Sequence, residues 1–161
     1  MDEQSRIANL LGDLSGLAPA GYAIALHVRF TTPTYLFQTY PEAWSDHYSA
    51  AGLVMQDPTV AWAFEQTGVV RWRDLAASVA AGVLAAAARH GLGFGFTLSQ
   101  DRGASRSLSS FSRNDRDFTD AEIAAITRLS DELHDLTLAT TGLGEATRDD
   151  LRRLSVRFTQ P

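Results

Sequence analysis

Cysteine and lysine are both absent from this sequence of 161 residues. The lack of cysteine excludes a disulfide framework and any metal site built from thiolates, and it fits a reducing compartment. Because lysine is missing, arginine supplies all 14 basic side chains, against 19 acidic ones. The resulting net charge of −5 argues against a chain that grips a nucleic-acid backbone by itself.

Long hydrophobic runs are missing as well. The first residues, MDEQSRIANLLGDLSG, begin with acidic side chains, whereas a secretory signal begins with basic ones. The longest apolar stretch, LAASVAAGVLAAAARHGLG, is too short and too rich in alanine to span a bilayer. A content of 45% hydrophobic and 20% charged residues is typical of a globular domain, and the length fits one such domain. We therefore expect a soluble cytoplasmic protein without a membrane partner.

Signatures of an enzyme or a metal site are also lacking. GLGFGF has Phe96 where a dinucleotide-binding loop needs its third glycine, and no serine lies in a GxSxG elbow. The histidines are too far apart in the sequence to show ligand spacing, and we predict surface or helix-end positions for them. They are His27, His47, His90 and His134. The sequence thus predicts a protein with no catalytic residues, no metal and no cofactor.

Apolar periodicity predicts several helices. Apolar side chains recur with helical spacing over residues 3–17, and residues 74–90 form an alanine-rich helical segment. TDAE at residues 119–122 is a capping box, and the helix after it carries an apolar stripe. The stripe consists of Ile123, Ile126, Leu129, Leu133 and Leu136.

Strand patterns are interspersed among these helices. GYAIALHVRF and TYLFQTY are typical of a strand pair, VVRW of a short strand, and GFGFTLSQ and SRSLSSFSR of two strands joined by a DRGA turn. PEAWSDHYSAAG and DPTVAWAFEQTG have proline near the start and glycine at the end, as short helices do. Helices that alternate with short strands predict an α+β domain, with helices packed on an antiparallel sheet.

The segment YPEAWSDHYSAAGLVMQDP raises the question of function. It gathers polar aromatic side chains ahead of Asp57 and contains no lysine or arginine. Asp57 stands before Pro58, where a helix N-cap is expected, and Trp44 and Tyr48 are one helical turn apart, like a packed aromatic pair. From these residues alone, a structural core and the lining of a pocket are equally open.

A pattern of five side chains favours the pocket. Tyr40, Trp44, Tyr48, Asp57 and Trp72 are separated by four, four, nine and fifteen residues. With proline after the acid and HGLGFG further on, the pattern resembles the autoinducer-binding domain of LuxR-type quorum-sensing regulators. The resemblance extends over roughly residues 21–136.

The resemblance implies an α-β-α sandwich with a central antiparallel sheet of the GAF/PAS-like type and helices on both faces. It also implies that the domain binds an N-acyl-homoserine lactone. Trp44 would donate to the lactone carbonyl, Tyr48 would donate to the acyl carbonyl, and Asp57 would accept the amide N–H. Indole and phenol donors with one carboxylate acceptor complement a ligand that has several carbonyl groups and one N–H.

The other expected pocket residues follow from the same resemblance. Tyr40 and Trp72 would wall the pocket. Ser110 matches a family serine or threonine near the ligand amide, with Ser109 or Ser112 in its place if the strand register shifts. The candidate liners of the acyl tail are Val60, Leu53, Phe37, Leu92 and Phe96.

Two positions and one loop depart from the family pattern: the DRGASR loop carries an extra residue, which loosens the assignment of Ser110. Ser99 stands where many relatives have proline, and His47 matches no family role. Neither position alters the five-residue pattern on which the resemblance depends.

The resemblance also predicts the domain organisation and partners. Residues 1–144 would form the autoinducer-binding domain, and residues 145–161 resemble the linker toward a missing C-terminal helix-turn-helix that binds DNA. The ligand would then control homodimerisation and DNA binding in the longer regulator. The alternative is a protein without the helix-turn-helix that heterodimerises with a full-length regulator and modulates it.

Overall fold

A computed structural model describes residues 2–30, 32–75 and 82–140 of the chain. These residues contain a five-stranded antiparallel sheet with the strand order β2-β1-β5-β4-β3. The strands are β1 (Gly21–Arg29), β2 (Thr32–Gln38), β3 (Gly68–Arg71), β4 (Phe94–Arg102) and β5 (Ser105–Arg113). The helices are α1 (Glu3–Leu17), α2 (Glu42–Ala50), α3 (Pro58–Glu65), α4 (Trp72–Leu75), α5 (Gly82–Arg89) and α6 (Asp120–Thr140), with a 3-10 turn at Leu53–Met55.

One face of the sheet is covered by α1 and α6, which pack against each other. Asp2 caps α1 by accepting from the Ser5 backbone N–H at 2.7 Å. The predicted capping box begins α6, since Glu122 N–H donates to Thr119 Oγ1 and Thr119 N–H donates to Glu122 Oε1. The large core beneath these helices includes Ile7, Leu11, Leu14, Tyr22, Phe37, Phe96, Phe111, Ile126 and Leu133.

A second, smaller apolar cluster includes side chains from α2, α4 and α5. Its buried members are Trp44, Trp72, Val83, Ala86, Ala87 and Leu92. Trp72 reaches the sheet at Gly95 and Thr97, which alternate along β4 with the core residues Phe96 and Leu98. Helices thus lie on both faces of the sheet, which confirms the predicted α-β-α sandwich.

Several element boundaries differ from the sequence-based expectations. Pro41 is the N-cap of α2 rather than its first helical residue, and Gly68 begins β3 instead of ending α3. The predicted helix over residues 74–90 is α4 and α5 in the described residues, and residues 76–81 lie outside them. Among the described helices, none combines the length and apolar character that a bilayer span demands.

The β4–β5 hairpin is tighter than the four-residue turn that DRGA suggested. Asp101 and Arg102 belong to β4, so that Gly103 and Ala104 alone form the turn. Both residues have positive φ, 61° and 57°, which is the conformation of a two-residue hairpin turn that matches the twist of the strands. A β-carbon at Gly103 would also collide with the Leu138 side chain.

The surface positions predicted for His27 and His134 are wrong. Their relative exposures are 4% and 0%, and their ring centroids are 4.4 Å apart. The backbone of His27 has φ 54° at a β-bulge between Ala25 and Val28, which turns the imidazole toward α6. Sequence spacing missed this pair because the two histidines meet only through the packing of α6 on β1.

Hydrogen bonds reach both nitrogens of each buried imidazole. His27 Nε2–H donates toward the His134 carbonyl (3.1 Å), and Nδ1 lies 2.7 Å from the Ser105 hydroxyl. His134 Nε2–H donates to the Arg102 carbonyl (2.9 Å), and Nδ1 lies 2.7 Å from the Ser107 hydroxyl. Each of the four ring nitrogens therefore has a hydrogen-bond partner within the domain.

Candidate functional site

The segment from Tyr40 to α3 folds back on itself and brings its polar aromatic side chains to Asp57. Tyr48 lies on α2, one turn after Trp44, and Asp57 is the N-cap of α3. The Tyr48 hydroxyl donates to Asp57 Oδ2 at 2.8 Å. The predicted helix cap is confirmed as well, because the Thr59 backbone N–H donates to Asp57 Oδ1 at 2.8 Å.

Asp57 therefore has its two oxygens in different roles. Oδ1 is engaged by Thr59, whose hydroxyl also donates to it at 2.7 Å. Oδ2 receives only the Tyr48 hydroxyl among the hydrogen bonds of the described residues, and a carboxylate oxygen can accept more than one. Burial, followed by the charge of Asp57, raises the pKa of both Tyr40 and Tyr48 well above the usual tyrosine value. Both phenols remain protonated donors at neutral pH.

A second set of hydrogen bonds crosses the sheet beside this group. The Trp72 indole N–H donates to Thr97 Oγ1 at 3.1 Å, and Thr97 Oγ1 lies 2.7 Å from Ser110 Oγ. The Tyr40 hydroxyl makes a long contact, 3.4 Å, with the Ser110 backbone carbonyl. The charge of Asp57 also acts on Tyr40 and, after burial, raises the pKa of its phenol. The sequence reasoning missed Thr97, although it shares the strand parity of Gly95.

The pleat of the strands places Ser110, rather than Ser109, on the same face of the sheet as Thr97. Ser110 pairs with Thr97 across β5 and β4 and shares its face of the sheet. Ser109 points the opposite way, toward the core under α1 and α6, because side chains alternate along a strand. Ser112 has the parity of Ser110, but its hydroxyl donates to the Phe94 carbonyl at 2.8 Å.

Gly95 sets the position of the Trp72 ring. A β-carbon at Gly95 would lie 2.6 Å from two atoms of the Trp72 ring, inside any normal contact distance. We expect Gly95→Ala to lower the free energy of unfolding by about 1–3 kcal/mol, the usual range for overpacking a well-packed site. Urea denaturation measures this change.

Gly93→Ala is the matched control for that substitution. A β-carbon at Gly93 meets no atom within 4 Å, although it is the same change two residues away. Gly93→Ala should leave stability within about 0.5 kcal/mol of the parent, as surface substitutions usually do. Equal losses for the two variants would contradict the steric role of Gly95.

His47, which matches no family role, lies on the surface beside the site. It is exposed, and its ring stacks on His90 with centroids 5.6 Å apart and an interplanar angle of 17°. His90 in turn lies 5.3 Å from the Trp44 ring and donates from Nδ1 to the Ala86 carbonyl. For these two histidines the predicted surface or helix-end placement fits, since His90 follows the end of α5.

Two of the five candidate liners of an acyl tail lie on the wrong face. Phe37 and Phe96 are fully buried in the core under α1 and α6, because their strand parity is opposite to that of Thr97 and Ser110. Leu53 and Leu92 belong to the smaller cluster with Trp44 and Trp72. Val60 is half-buried on α3.

A surface cleft of about 540 Å³ adjoins Trp72. In the described part of the chain, Tyr48, Asp57 and Ser110 are not part of its lining. The cleft is lined by Trp72, Arg73, Leu84, Ala85, Gly93, Phe94, Gly95 and Asp117. It therefore does not coincide with the polar group around Asp57.

Comparisons with known proteins place this fold in a family. Residues 5–137 match the family model described as "Autoinducer binding domain", so the chain belongs to the autoinducer-binding-domain family. This family consists of ligand-binding regulatory domains of LuxR-type regulators and not of enzymes. A comparison with curated proteins found no match. No group of three or more metal-ligating side chains occurs within residues 2–30, 32–75 and 82–140.

Solved structures show the same fold. SdiA in complex with octanoyl-rac-glycerol has a TM-score of 0.63 at 22% identity, and the match covers 100% of this chain and 64% of that one. A crystal structure of Escherichia coli SdiA in the space group P6522 has a TM-score of 0.65 at 22% identity, and the match covers 85% of this chain and 63% of that one. CepR2 of Burkholderia cenocepacia is an N-acylhomoserine-lactone-dependent LuxR family transcription factor. Its structure has a TM-score of 0.60 at 18% identity, and the match covers 81% of this chain and 79% of that one. This chain thus spans less than two thirds of the SdiA chains.

Proposed function

We propose that this domain binds an N-acyl-homoserine lactone between the sheet and the layer formed by α2–α5. The observation that carries the proposal is the hydrogen bond between Tyr48 and Asp57, next to Tyr40 and Ser110. Residues that are far apart in the sequence thus present phenol donors and one carboxylate acceptor on the same side of the sheet. The membership of the chain in the autoinducer-binding family supports the same ligand class.

Each polar group of such a ligand has a counterpart in this site. The Tyr48 hydroxyl would turn from Asp57 Oδ2 to the acyl carbonyl, and the amide N–H would donate to Asp57 Oδ2 in its place. Trp44 would supply an indole N–H to the lactone carbonyl, while Ser110 lies across the sheet with Thr97 near the amide. Pairing matters because a polar ligand group that is buried without a partner costs about 1–3 kcal/mol. Tyr40 and Trp72 would form the walls.

A thermal-shift series with N-acyl-homoserine lactones tests the proposal. A ligand at a hundred times its dissociation constant stabilises the native state by about 2.7 kcal/mol. For a domain of this size, that corresponds to a rise in melting temperature of roughly 5–10 °C. Ring-opened N-acyl-homoserine controls for recognition of the intact lactone. The absence of stabilisation by every lactone of the series would overturn the proposal.

Octanoyl glycerol provides an informative second ligand. SdiA has been crystallised with octanoyl-rac-glycerol, which has an ester and hydroxyl groups and lacks an amide N–H. In this chain we expect octanoyl homoserine lactone to stabilise more strongly, because its amide N–H donates to the charged acceptor Asp57. Equal stabilisation by the two would show that the amide is not recognised.

We further propose that the ligand promotes homodimerisation of a cytoplasmic regulator and thereby controls DNA binding through a C-terminal helix-turn-helix. The net charge of −5 fits a division in which this chain senses the ligand and another domain contacts DNA. Light scattering with and without lactone measures the first step. A protein that remains monomeric with saturating ligand would favour the alternative of heterodimerisation with a full-length regulator.

A further inference from the structure

Three half-buried apolar side chains lie side by side next to the proposed head-group site. Ala25 on β1 pairs with Leu36 on β2 and with Leu108 on β5, so that the three form one row across the sheet. Ala25 and Leu36 alternate with residues of the large core, and Leu108 alternates with the buried Ser107 and Ser109, so all three face the α2–α5 side. We call Leu36, Ala25 and Leu108 the tail row.

The tail row is adjacent to the polar row that contains Ser110. Ser110 pairs with Ala23 on β1 and with Thr97 on β4, two residues along each strand from the tail row. A tail that leaves the head group along β5 would therefore pass from Ser110 over Leu108. Apolar side chains that are partly exposed beside a polar recognition site are suited to cover an alkyl chain.

A third row, in which Arg106 pairs with Val28 on β1 and with Asp101 on β4, closes this path with a charged side chain. Arg106 lies two residues beyond Leu108 on the same face of β5. Its Nη1 donates to the Ala63 carbonyl (2.8 Å), to the Gln66 carbonyl (3.0 Å) and to Ser99 Oγ (2.7 Å). Arg106 therefore bonds the C-terminal end of α3 to the sheet.

Ser99 on β4 forms a second hydrogen bond between the sheet and α3 at the same place. Its hydroxyl donates to the Ala63 carbonyl at 2.7 Å, and Ala63 is fully buried. Arg106 Nη2 also lies 3.7 Å from Asp101 Oδ2. An alkyl chain that displaced Arg106 would break its hydrogen bonds to the carbonyls of Ala63 and Gln66. Ser99 would then be the remaining donor to the buried Ala63 carbonyl, so that part of the bonding between α3 and the sheet would be lost.

We propose that Arg106 limits the acyl chain to about six to eight carbons, because Ser99 and the end of α3 hold its side chain across the path. The estimate uses a strand rise of about 3.4 Å per residue and a length of about 1.3 Å per methylene. The distance from Ser110 to Arg106 along β5 is roughly 14 Å on that basis, enough for about ten carbons, and the arginine side chain at its far end shortens the path to about six to eight. This inference rests on the proposed function, because it concerns the tail of the same ligand.

Isothermal titration with butanoyl, hexanoyl, octanoyl, decanoyl and dodecanoyl homoserine lactone tests the limit. The parent protein should bind hexanoyl or octanoyl lactone most tightly. Arg106→Met removes the charge and opens the path along β5 beyond Leu108. It should strengthen dodecanoyl binding by about tenfold or more, because each further buried methylene is worth roughly fourfold in affinity. Butanoyl binding should change by less than about threefold, because a short tail does not reach the third row.

Two further variants make the result specific. Leu108→Phe fills the tail row with a larger side chain, and it should weaken octanoyl binding while retaining butanoyl binding. This variant still tests the proposal if Arg106→Met fails to fold. Arg73→Met is the matched arginine control, since Arg73 pairs with Asp117 outside the three rows. It should leave the order of chain lengths unchanged.

The possible failures are distinguishable. If no lactone binds any of the four proteins, the proposed function is overturned, and the chain-length limit with it. If lactones bind but dodecanoyl binds the parent as tightly as octanoyl, Arg106 does not set the limit. An unchanged chain-length order in both Arg106→Met and Leu108→Phe would show that the tail takes a different path, such as the cleft beside Trp72.

Discussion

Asp57→Asn is expected to weaken lactone binding by about a hundredfold, or about 3 kcal/mol, and to change the free energy of unfolding by less than about 1 kcal/mol. Asparagine retains one carbonyl oxygen, which can still accept the Thr59 N–H and cap α3. Its second group is an NH₂ donor, which replaces the oxygen that now accepts from Tyr48. The ligand N–H would then face a donor instead of a charged acceptor.

Asp2→Asn provides the matched control for this experiment. Asp2 caps α1 in the same way that Asp57 caps α3, by accepting a backbone N–H. Asp2→Asn should leave lactone affinity unchanged. Asp57→Ala, by contrast, should lose both ligand affinity and about 1 kcal/mol of stability, because it removes the cap as well. If Asp57→Asn binds lactone like the parent and Asp57→Ala only lowers stability, Asp57 is a helix cap and nothing more.

The second large effect concerns the stability of the domain in mild acid. Burial, followed by the neighbouring His134, lowers the pKa of His27 from 6.5 to about 4, while the His134 carbonyl and the charge of Asp135 act weakly in the opposite direction. Between these two values the unfolded chain binds a proton that the folded domain excludes. The free energy of unfolding should therefore fall by up to roughly 3 kcal/mol as the pH decreases from about 6.5 to about 4.

Urea denaturation at a series of pH values measures this dependence. His27→Gln should be less stable than the parent at pH 7.5 but should lose most of the slope between about pH 6.5 and 4. His47→Gln removes an exposed histidine and should retain the parental slope. Glu122, whose pKa is lowered to about 2 mainly by Arg116, loses its contribution only as the pH falls from 4.5 toward 2. A parental stability that is flat from pH 7 to 4.5 would contradict the role of His27.

Local sequence signals account for most of the secondary structure. The spacing of apolar residues predicts α1 over residues 3–17, as observed, and the TDAE capping box marks the start of α6. The burial of His134 could have been predicted from its position in α6. It lies on the same side of α6 as Ile126 and Ser130, at intervals of four residues. The bulge that turns His27 inward has no such local signal, because it depends on how β1 pairs with β5.

The sequence predicted which residue types form the candidate site, but it did not predict which face of the sheet each strand residue lies on. The resemblance assigned Tyr48 and Asp57 to one ligand pocket, and in the structure the two side chains are hydrogen-bonded to each other. Phe96 was expected to line an acyl pocket, but it belongs to the opposite core. Both faces of β4 are covered by helices, so its residues are buried on either side and the sequence shows no alternation from which to choose a face. The contacts of Arg106 with α3 likewise depend on tertiary packing.

The alternation along β5 has a consequence for how such domains diversify. Ser107, Ser109 and Phe111 face α1 and α6, whereas Leu108 and Ser110 face the proposed ligand. A substitution in the second set changes what the domain recognises and leaves the packing of the first set intact. Mutation can therefore explore new ligands at low risk to folding, and we expect relatives with the same architecture to vary most at the positions that share the parity of Leu108.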